Sequence, residues 1–349
     1  MLFCLIVGVV CGADGFVQAE AIARMKKPFI RKYVPLRRNT VPTHDTMARV
    51  LGDIDPEQFL NAFANFMSRL GSRPRSDIIN LDGKTLRGVV GAAATKREGA
   101  VQNQAHMVSA FSSLRGLVLG QVKSKHVAHE TAAAQELLQI LDLKGAVVTM
   151  DAAHSNPVTM KIIDDRGDDY VVAVKGNAKF LQGAIVDEFL RGGPASDVTT
   201  SERTHGQIEH RMYEVIAASN AVAQRFPTVK SFIRVSREGV SHSGNEQQSD
   251  ADRLYASSLP AEDAERIATC IRARWGIENS LHYVLDISFD EDRSRIRSKN
   301  APENFSRVRH IALGLLGMVK GPKLSFPVAR ITAGMDDRFL ARVLKVPKA

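Results

Sequence analysis

The sequence predicts a mixed α/β protein: a mixed sheet with helices packed on it, a helical N-terminal region, and a strand-rich stretch set into the sheet-forming part. Three observations carry this. Residues 77–124 read as three consecutive short strands, residues from 130 to about 176 alternate between helix and strand, and residues from about 196 to 258 return to short strands with polar turns. Three meander strands followed by alternating helix and strand give a mixed rather than a purely antiparallel sheet. The 349 residues and the 44% hydrophobic content suffice for a sizeable core.

The opening segment, MLFCLIVGVVCGADG, has no basic residue ahead of its apolar run and no clear small-x-small cleavage site. It is shorter than the ~20 apolar residues a bilayer span needs, so it reads as a packed helix, with a signal peptide as the alternative, and no membrane is expected. Residues 1–75 are helical and basic, with Arg24, Lys26, Lys27, Arg31, Lys32, Arg37 and Arg38 crowded together: a phosphate-contacting surface or a solvated face. Asp55, Pro56 and Gln58 form a helix start, with the aspartate as N-cap and proline in the first turn.

Beyond residue 76, DIINLDGK, residues 104–113 and GLVLGQVKS are the three strands, with Leu114-Arg115-Gly116 as the tight turn between the last two. ETAAAQELLQILDL is a helix, AVVTMDA a strand, PVTMKIIDDRG a helix and DYVVAVKG a strand. After the strand-rich stretch, helix resumes from Ala261 to about Leu285, and another helix covers roughly 302–319. Residues 321–349 are expected as a tail.

Charge points to the partner. Lys and Arg number 47 against 38 Asp and Glu, a formal net charge of +9. That balance favours polyanions, chiefly nucleic acid. Cys4, Cys11 and Cys270 make no metal-spaced cluster and no even-numbered framework, which fits a reducing cytoplasm.

Against this basic background, three acids sit at the margins of apolar elements. Strand alternation puts Asp82 on a face with Ile78 and Asn80, just before a glycine, and Asp151 on a face with Val147 and Thr149, both at the carboxyl ends of their strands. Either alone reads more readily as an acid that closes a strand by accepting turn hydrogen bonds. In WGIENSLHYVLD, a step of ~100° per residue places Glu278 between Trp275, His282 and Leu285, on the face expected to be buried, where a carboxylate needs an arginine, a metal ion or water. Converging carboxylates are relieved by a shared proton or by divalent cations. Two ions held by such acids would serve in-line phosphoryl displacement.

Together DIINLDGKTLRG, VVTMDAAHSN, DYVVAVKGN, HGQIEHR at 205–211 and RWGIENSLHYVLDISFDEDRSRIRSKNAPEN resemble the H-repeat-associated (ISAs) family of DDE insertion-sequence transposases, with LIVGVVCGADG and VPTHDT near the N-terminus extending the likeness. The resemblance implies an RNase H-like α/β core, a mixed sheet flanked by helices, over residues 76–320, with a β-rich insertion at about 196–258 and a helical N-terminal region over 1–75. It also implies Asp82, Asp151 and Glu278 as catalytic acids and metal ligands, with two Mg²⁺ or Mn²⁺ ions per site. Double-stranded DNA is the implied partner, both the element's terminal inverted repeats and the target, with a homo-oligomer joining two ends. Arg274 stands where the family usually has histidine and Tyr283 where it often has tryptophan.

Around the triad, Lys84 reads as a phosphate contact or a solvated strand-end lysine, and His154 and His282 as positioning or structural histidines. Lys175, in DYVVAVKGN, joins them as a DNA-contact candidate, as do Arg293, Arg295, Arg297 and Lys299, whose alternation suits a DNA backbone, although Asp290, Glu291 and Asp292 stand nearby. His205, Glu209 and His210 lack helical HExxH spacing and read as structural or DNA-contacting. Trp275 reads as core packing or base stacking. No Ser-His or Cys-His pair suggests a covalent nucleophile. A nuclease on the same fold and an inactive DNA-binding relative are the competing readings.

Overall fold

The computed structural model describes residues 1–70, 76–90, 104–124, 129–204, 207–240 and 246–345. The chain folds into two compact units, one comprising Met1–Arg73, Gly83–Ala133 and Ile277–Ala349, the other Pro74–Asp82 and Ala134–Gly276. Strand β1 (Ile78–Val90) contributes its first residues to the second unit and its later residues to the first.

In the second unit the strands run in the order β1, β4 (Val147–Met150), β5 (Asp169–Val174), β9 (Glu246–Ser257), β8 (Ser231–Val240), β7 (Gln207–Ala217) and β6 (Ser196–Thr204). β1, β4 and β5 are parallel, β9 lies antiparallel to β5, and the rest continue antiparallel. All four residues of β4, VVTM, are buried, as a central parallel strand covered on both faces requires. Helices α7 (Pro157–Asp165) and α8 (Lys179–Arg191) follow β4 and β5, the first started by Asn156, whose side chain accepts from the Val158 amide at 2.8 Å. Helix α10 (Ala264–Ile277) closes a core of Tyr213, Val215, Ile233, Val235 and Tyr255 with Ile267, Ala268 and Ile271.

In the first unit β2 (Gln104–Ser112) lies between β1 and β3 (Leu117–Ser124), and the reversal into β3 is the predicted turn, with Gly116 at φ 61°. The fold is therefore an RNase H-like α/β arrangement: a meander followed by parallel β4 and β5, with helices on the sheet. The N-terminal segment is a packed helix, α1 (Leu2–Val10), followed by α2 (Phe16–Met25), α3 (Lys27–Ile30), α4 (His44–Asp53) and α5 (Pro56–Arg69), the last capped at Asp55 as predicted.

At the centre of this unit lies α12 (Ala301–Gly317), buried from Ala301 to Leu316 and packed against α1, α4, α5 and β3. Its arginines are paired internally: Arg307 lies 3.7 Å from Glu303 and donates to Asn304 Oδ1 at 2.8 Å and to the Gln121 carbonyl at 3.2 Å, and Arg309 lies 3.8 Å from Glu291 and donates to the Asp14 carbonyl at 3.1 Å. Residues 321–349, expected as a tail, instead carry α13 (Phe326–Met335) and α14 (Asp337–Val343), because Ala329, Ala333, Phe339, Leu340 and Val343 provide an apolar stripe to bury. Among the described residues no helix is long and apolar enough to cross a membrane.

Helices α1 and α2 touch at Gly8, where an added Cβ would stand 2.8 Å from the Ala19 backbone Cα. Backbone cannot rotate away, so overpacking at the upper end of ~1–3 kcal/mol outweighs the ~1 kcal/mol helix-propensity gain. Gly8→Ala should destabilise by about 2 kcal/mol in urea denaturation; an unchanged midpoint would contradict this packing.

Candidate active site

The parallel pairing of β1 with β4 sets the first part of the site. Ile78 faces Val147, Ile79 faces Val148 and Asn80 faces Thr149, and the Thr149 hydroxyl donates to Asn80 Oδ1 at 2.5 Å. Two residues further along each strand the same register brings Asp82 level with Asp151, on the face shared by Asn80 and Thr149. Asp151 has extended backbone (φ −81°, ψ 177°) and caps the short turn Ala152–His154, its Oδ1 accepting from the Ala153 amide at 2.8 Å. The Asn177 side chain donates to the Ala152 carbonyl at 2.5 Å, fixing the turn from the segment after β5. Asp82 lies 3.8 Å from Arg274 Nη2, an ion pair of the same unit.

The flanking residues fall into two groups. His154 is fully buried beneath this turn, which suits a support and leaves no surface for DNA. Lys175 is exposed just after β5.

Glu278 belongs to the first unit and is exposed, which corrects the buried placement expected for it. The buried stripe is Ile277, Leu281, Leu285 and Phe289, so Glu278 lies off it, and Trp275, expected in the core, is 39% exposed. Residues Glu278–His282 form a π-helical turn before α11 (Tyr283–Phe289), and its extra residue per turn defeats an extrapolation at ~100° per residue. An exposed carboxylate needs no buried counter-ion, so burial no longer argues for a metal at Glu278.

Lys84 is not a phosphate contact in this structure. Its ammonium group is largely buried in the first unit among Asp286, Glu291 at 3.2 Å and Asp292 at 3.7 Å, which hold it away from an external anion. Burial opposes its charge, but Glu291 and Asp286 raise its pKa above the ordinary lysine value. Burial likewise pushes the Glu291 carboxyl up, and Lys84 and Arg309 more than offset this, leaving it below the ordinary range. Ser306 donates to Glu291 at 2.9 Å. His282 and His310 border this network, and burial is the main cause that lowers both to about 4.

The basic run after α11 is exposed at Arg293, Arg295 and Arg297. Lys299 is also exposed but pairs with Asp53 at 2.6 Å, and Arg293 stands 3.8 Å from Asp290. In the N-terminal basic segment Arg24 pairs with Glu20 and Lys26 with Asp337, while Arg31, Lys32, Arg37 and Arg38 are exposed. His205 lies outside the described residues. Glu209 pairs with Arg211 and Arg237, and His210 Nδ1 lies 2.8 Å from the Ser201 hydroxyl, so this segment is held within the sheet.

Hard divalent cations take carboxylate oxygens, and Asp82 with Asp151 supplies two such groups at facing strand ends. The donor chemistry of that pair fits such an ion. Among the described residues no group of three or more His, Cys, Asp or Glu is gathered for a metal. The residue types that sequence reasoning missed are the arginines and tyrosines on one face of β7, β8 and β9. Their signal is a period of two in Arg211/Tyr213 and Arg253/Tyr255, but only the strand register brings them together.

Lys84→Met should destabilise the chain by about 3 kcal/mol, because it strands buried Glu291 without its nearest cation. Urea midpoints check this, and Glu291→Gln in the same chain should recover part of the loss. A second expectation concerns pH. Unfolded histidines bind protons near 6.5 and folded His282 and His310 only near 4, so the unfolded chain holds more protons between these values. Stability should therefore be level above about pH 7 and fall from 6.5 towards 4. His310→Gln should flatten the slope, and a pH-independent midpoint over that window would refute the neutral, buried assignment.

The comparisons agree with the sequence resemblance. Residues 73–315 match the transposase DDE domain family, and residues 1–67 match the family described as DDE_Tnp_1-associated. The H repeat-associated protein YhhI of Escherichia coli K12 is 34% identical over 99% of this chain and 91% of its own length. YncI of Escherichia coli O157:H7 is 34% identical over 99% of this chain and 88% of its own. A solved piggyBac transposase synaptic complex with hairpin DNA aligns at 10% identity and a TM-score of 0.47, covering 100% of this chain and 73% of that one, a likeness too slight to bear on the site. With residues 73–315 matched by the DDE domain family and relatives 34% identical over 99% of its length, this chain belongs to the DDE transposase family.

Proposed function

We propose that the chain catalyses DNA transposition: divalent-metal-dependent cleavage at the ends of an insertion sequence, followed by strand transfer into target DNA. Asp82, Asp151 and Glu278 are the proposed catalytic acids. The observation that carries the reading is the level placement of Asp82 and Asp151 at adjacent parallel strand ends, in a chain of this family. Two Mg²⁺ or Mn²⁺ ions held by the three carboxylates would supply Lewis-acid activation and charge neutralisation at the phosphate.

What the chain's own residues do follows from their positions. The Asp151 turn, fixed by Asn177, holds one carboxylate still, and the Asn80–Thr149 hydrogen bond locks the register beneath both aspartates. Arg274 balances Asp82 and sets the direction of its carboxylate. Water attack at the element end breaks the bond from phosphorus to the 3′ oxygen and frees a 3′-hydroxyl. Joining then makes that hydroxyl the attacking group on a target phosphodiester, with the displaced target oxygen leaving as a hydroxyl. Neither step passes through a covalent enzyme intermediate. Exposed Lys175, Arg293, Arg295 and Arg297 are the proposed backbone contacts on double-stranded DNA, both terminal inverted repeats and target. A homo-oligomer is proposed because two ends must be joined together.

The test uses pre-cleaved and uncleaved element ends with Mg²⁺ or Mn²⁺, resolved on denaturing gels. Asp82→Asn, Asp151→Asn and Glu278→Gln should each lower cleavage and joining by at least about a hundredfold, the scale of losing a transition-state electrostatic contact, while gel-shift affinity for DNA stays within about threefold. Cleavage without joining would instead identify a nuclease, and wild-type activity in the variants would leave a DNA-binding protein only.

A further inference from the structure

In the second unit, where α10 crosses the open face of β7, β8 and β9, a recess is lined by Arg211, Tyr213, Arg237, Arg253, Arg272 and Trp275, over a floor that includes Val235, Tyr255 and Ile271. The register explains the convergence: Tyr213 faces Val235, Val235 faces Arg253, and Arg211 faces Arg237, all on the side that α10 covers. The Arg253 guanidinium stands 5.3 Å from the centre of the Trp275 ring, a cation–π contact at the rim.

Two features ask for an anion. Four guanidiniums carry about twenty N–H donors. Glu202 pairs with Arg211 and Arg272, and Glu209 pairs with Arg211 and Arg237. Tyr213 supplies the second feature. Its side chain is completely buried, and its hydroxyl has no hydrogen-bond partner. A buried O–H left unsatisfied is costly, and an anionic oxygen would remove that cost. The cavity of about 20 Å³ admits one water-sized atom. An oxygen fits there, whereas a whole base does not.

We propose that this recess binds one phosphate group of a nucleic-acid backbone. A non-bridging oxygen enters the recess to accept from the Tyr213 hydroxyl, and exposed Arg237 and Arg253 with half-buried Arg272 hold the remaining oxygens at the rim. The carrier of that phosphate rests on the function proposed above; the anion site itself does not.

Trp275 is the single tryptophan of the chain, so its emission reports on this recess alone. The full chain is titrated with inorganic phosphate, with chloride at matched ionic strength, and with a short DNA duplex. Phosphate and duplex should each change Trp275 emission saturably, and chloride should not. Tyr213→Phe should weaken phosphate binding about tenfold or more, as expected for a lost hydrogen bond to a charged group, yet melt at the same temperature as wild type or higher, because it deletes a donor that has no partner. Arg253→Gln, at the exposed rim, should weaken the same titration without unfolding the chain. A lower melting temperature for Tyr213→Phe would mean that its hydroxyl serves the fold, and the proposal would fall. Duplex binding with unchanged emission, and with unchanged affinity in both variants, would overturn the recess and leave the DNA-acting role intact. Phosphate binding without duplex binding would uphold the anion site and count against DNA as its carrier.

Discussion

The parallel pairing of β1 with β4 is the constraint on which the rest depends. Side chains alternate along a strand with a period of two, so a slip of one residue would turn Asp82 and Asp151 to opposite faces. Two things prevent the slip. The strands are apolar on both sides, and the Asn80–Thr149 hydrogen bond is buried between them, where losing a partner is costly. The aspartates are thus positioned by buried groups earlier on the same two strands. The sheet hydrogen bonds supply the accuracy, and the Asp151 cap stops the chain from drifting as it leaves β4.

The first unit solves a different problem, the burial of charge. Lys84, Glu291 and Arg309 would each be costly in isolation, and together they neutralise one another, with Ser306 donating to Glu291 and the Asp14 carbonyl accepting from Arg309. Such a cluster adds little net stability compared with an apolar core of the same volume. Its effect is on specificity: Lys84 on β1 meets Asp286 on α11 in only one alignment, so the strand and the helix that follows the Glu278 turn are held in one register. The low pKa values of His282 and His310 express the same environment, since burial disfavours a further positive charge there and Lys84 adds to that effect.

Local patterns were readable from the chain and long-range pairing was not. The meander, the turn at Gly116, the Asp55 cap and the strand ends at Asp82 and Asp151 follow from alternation and capping chemistry, which act within a few residues. A helical wheel assumes constant rise and rotation, and the π turn at Glu278–His282 violates both, so the wheel does not set Glu278 against His282 and Leu285. The stripe Ile277, Leu281, Leu285 was present in the sequence all along, but Trp275 and His282 look equally like anchors of a buried face. The partners of Lys84 lie some two hundred residues downstream, so no local rule separates a solvated lysine from the centre of an ion network. α13 and α14 were overlooked for a related reason: short helices of modest hydrophobicity become stable only through the surface they pack on.

The position of β6 also follows from physics. Extending a sheet by four antiparallel strands creates a new edge, and an exposed edge invites pairing with other chains. Ser196, Asp197, Thr199, Thr200, Ser201 and Glu202 make that edge polar, which discourages such pairing. Glu202 also reaches inward to Arg272 and Arg211, joining the edge strand to α10 and β7. The extension therefore separates two electrostatic tasks within one unit. Carboxylates are concentrated where the parallel strands end, and guanidiniums are concentrated on the antiparallel face. Had both sets shared one site, the arginines would have neutralised the acids. Arg274, beside Asp82 at 3.8 Å, is placed to do so, and it stands on α10.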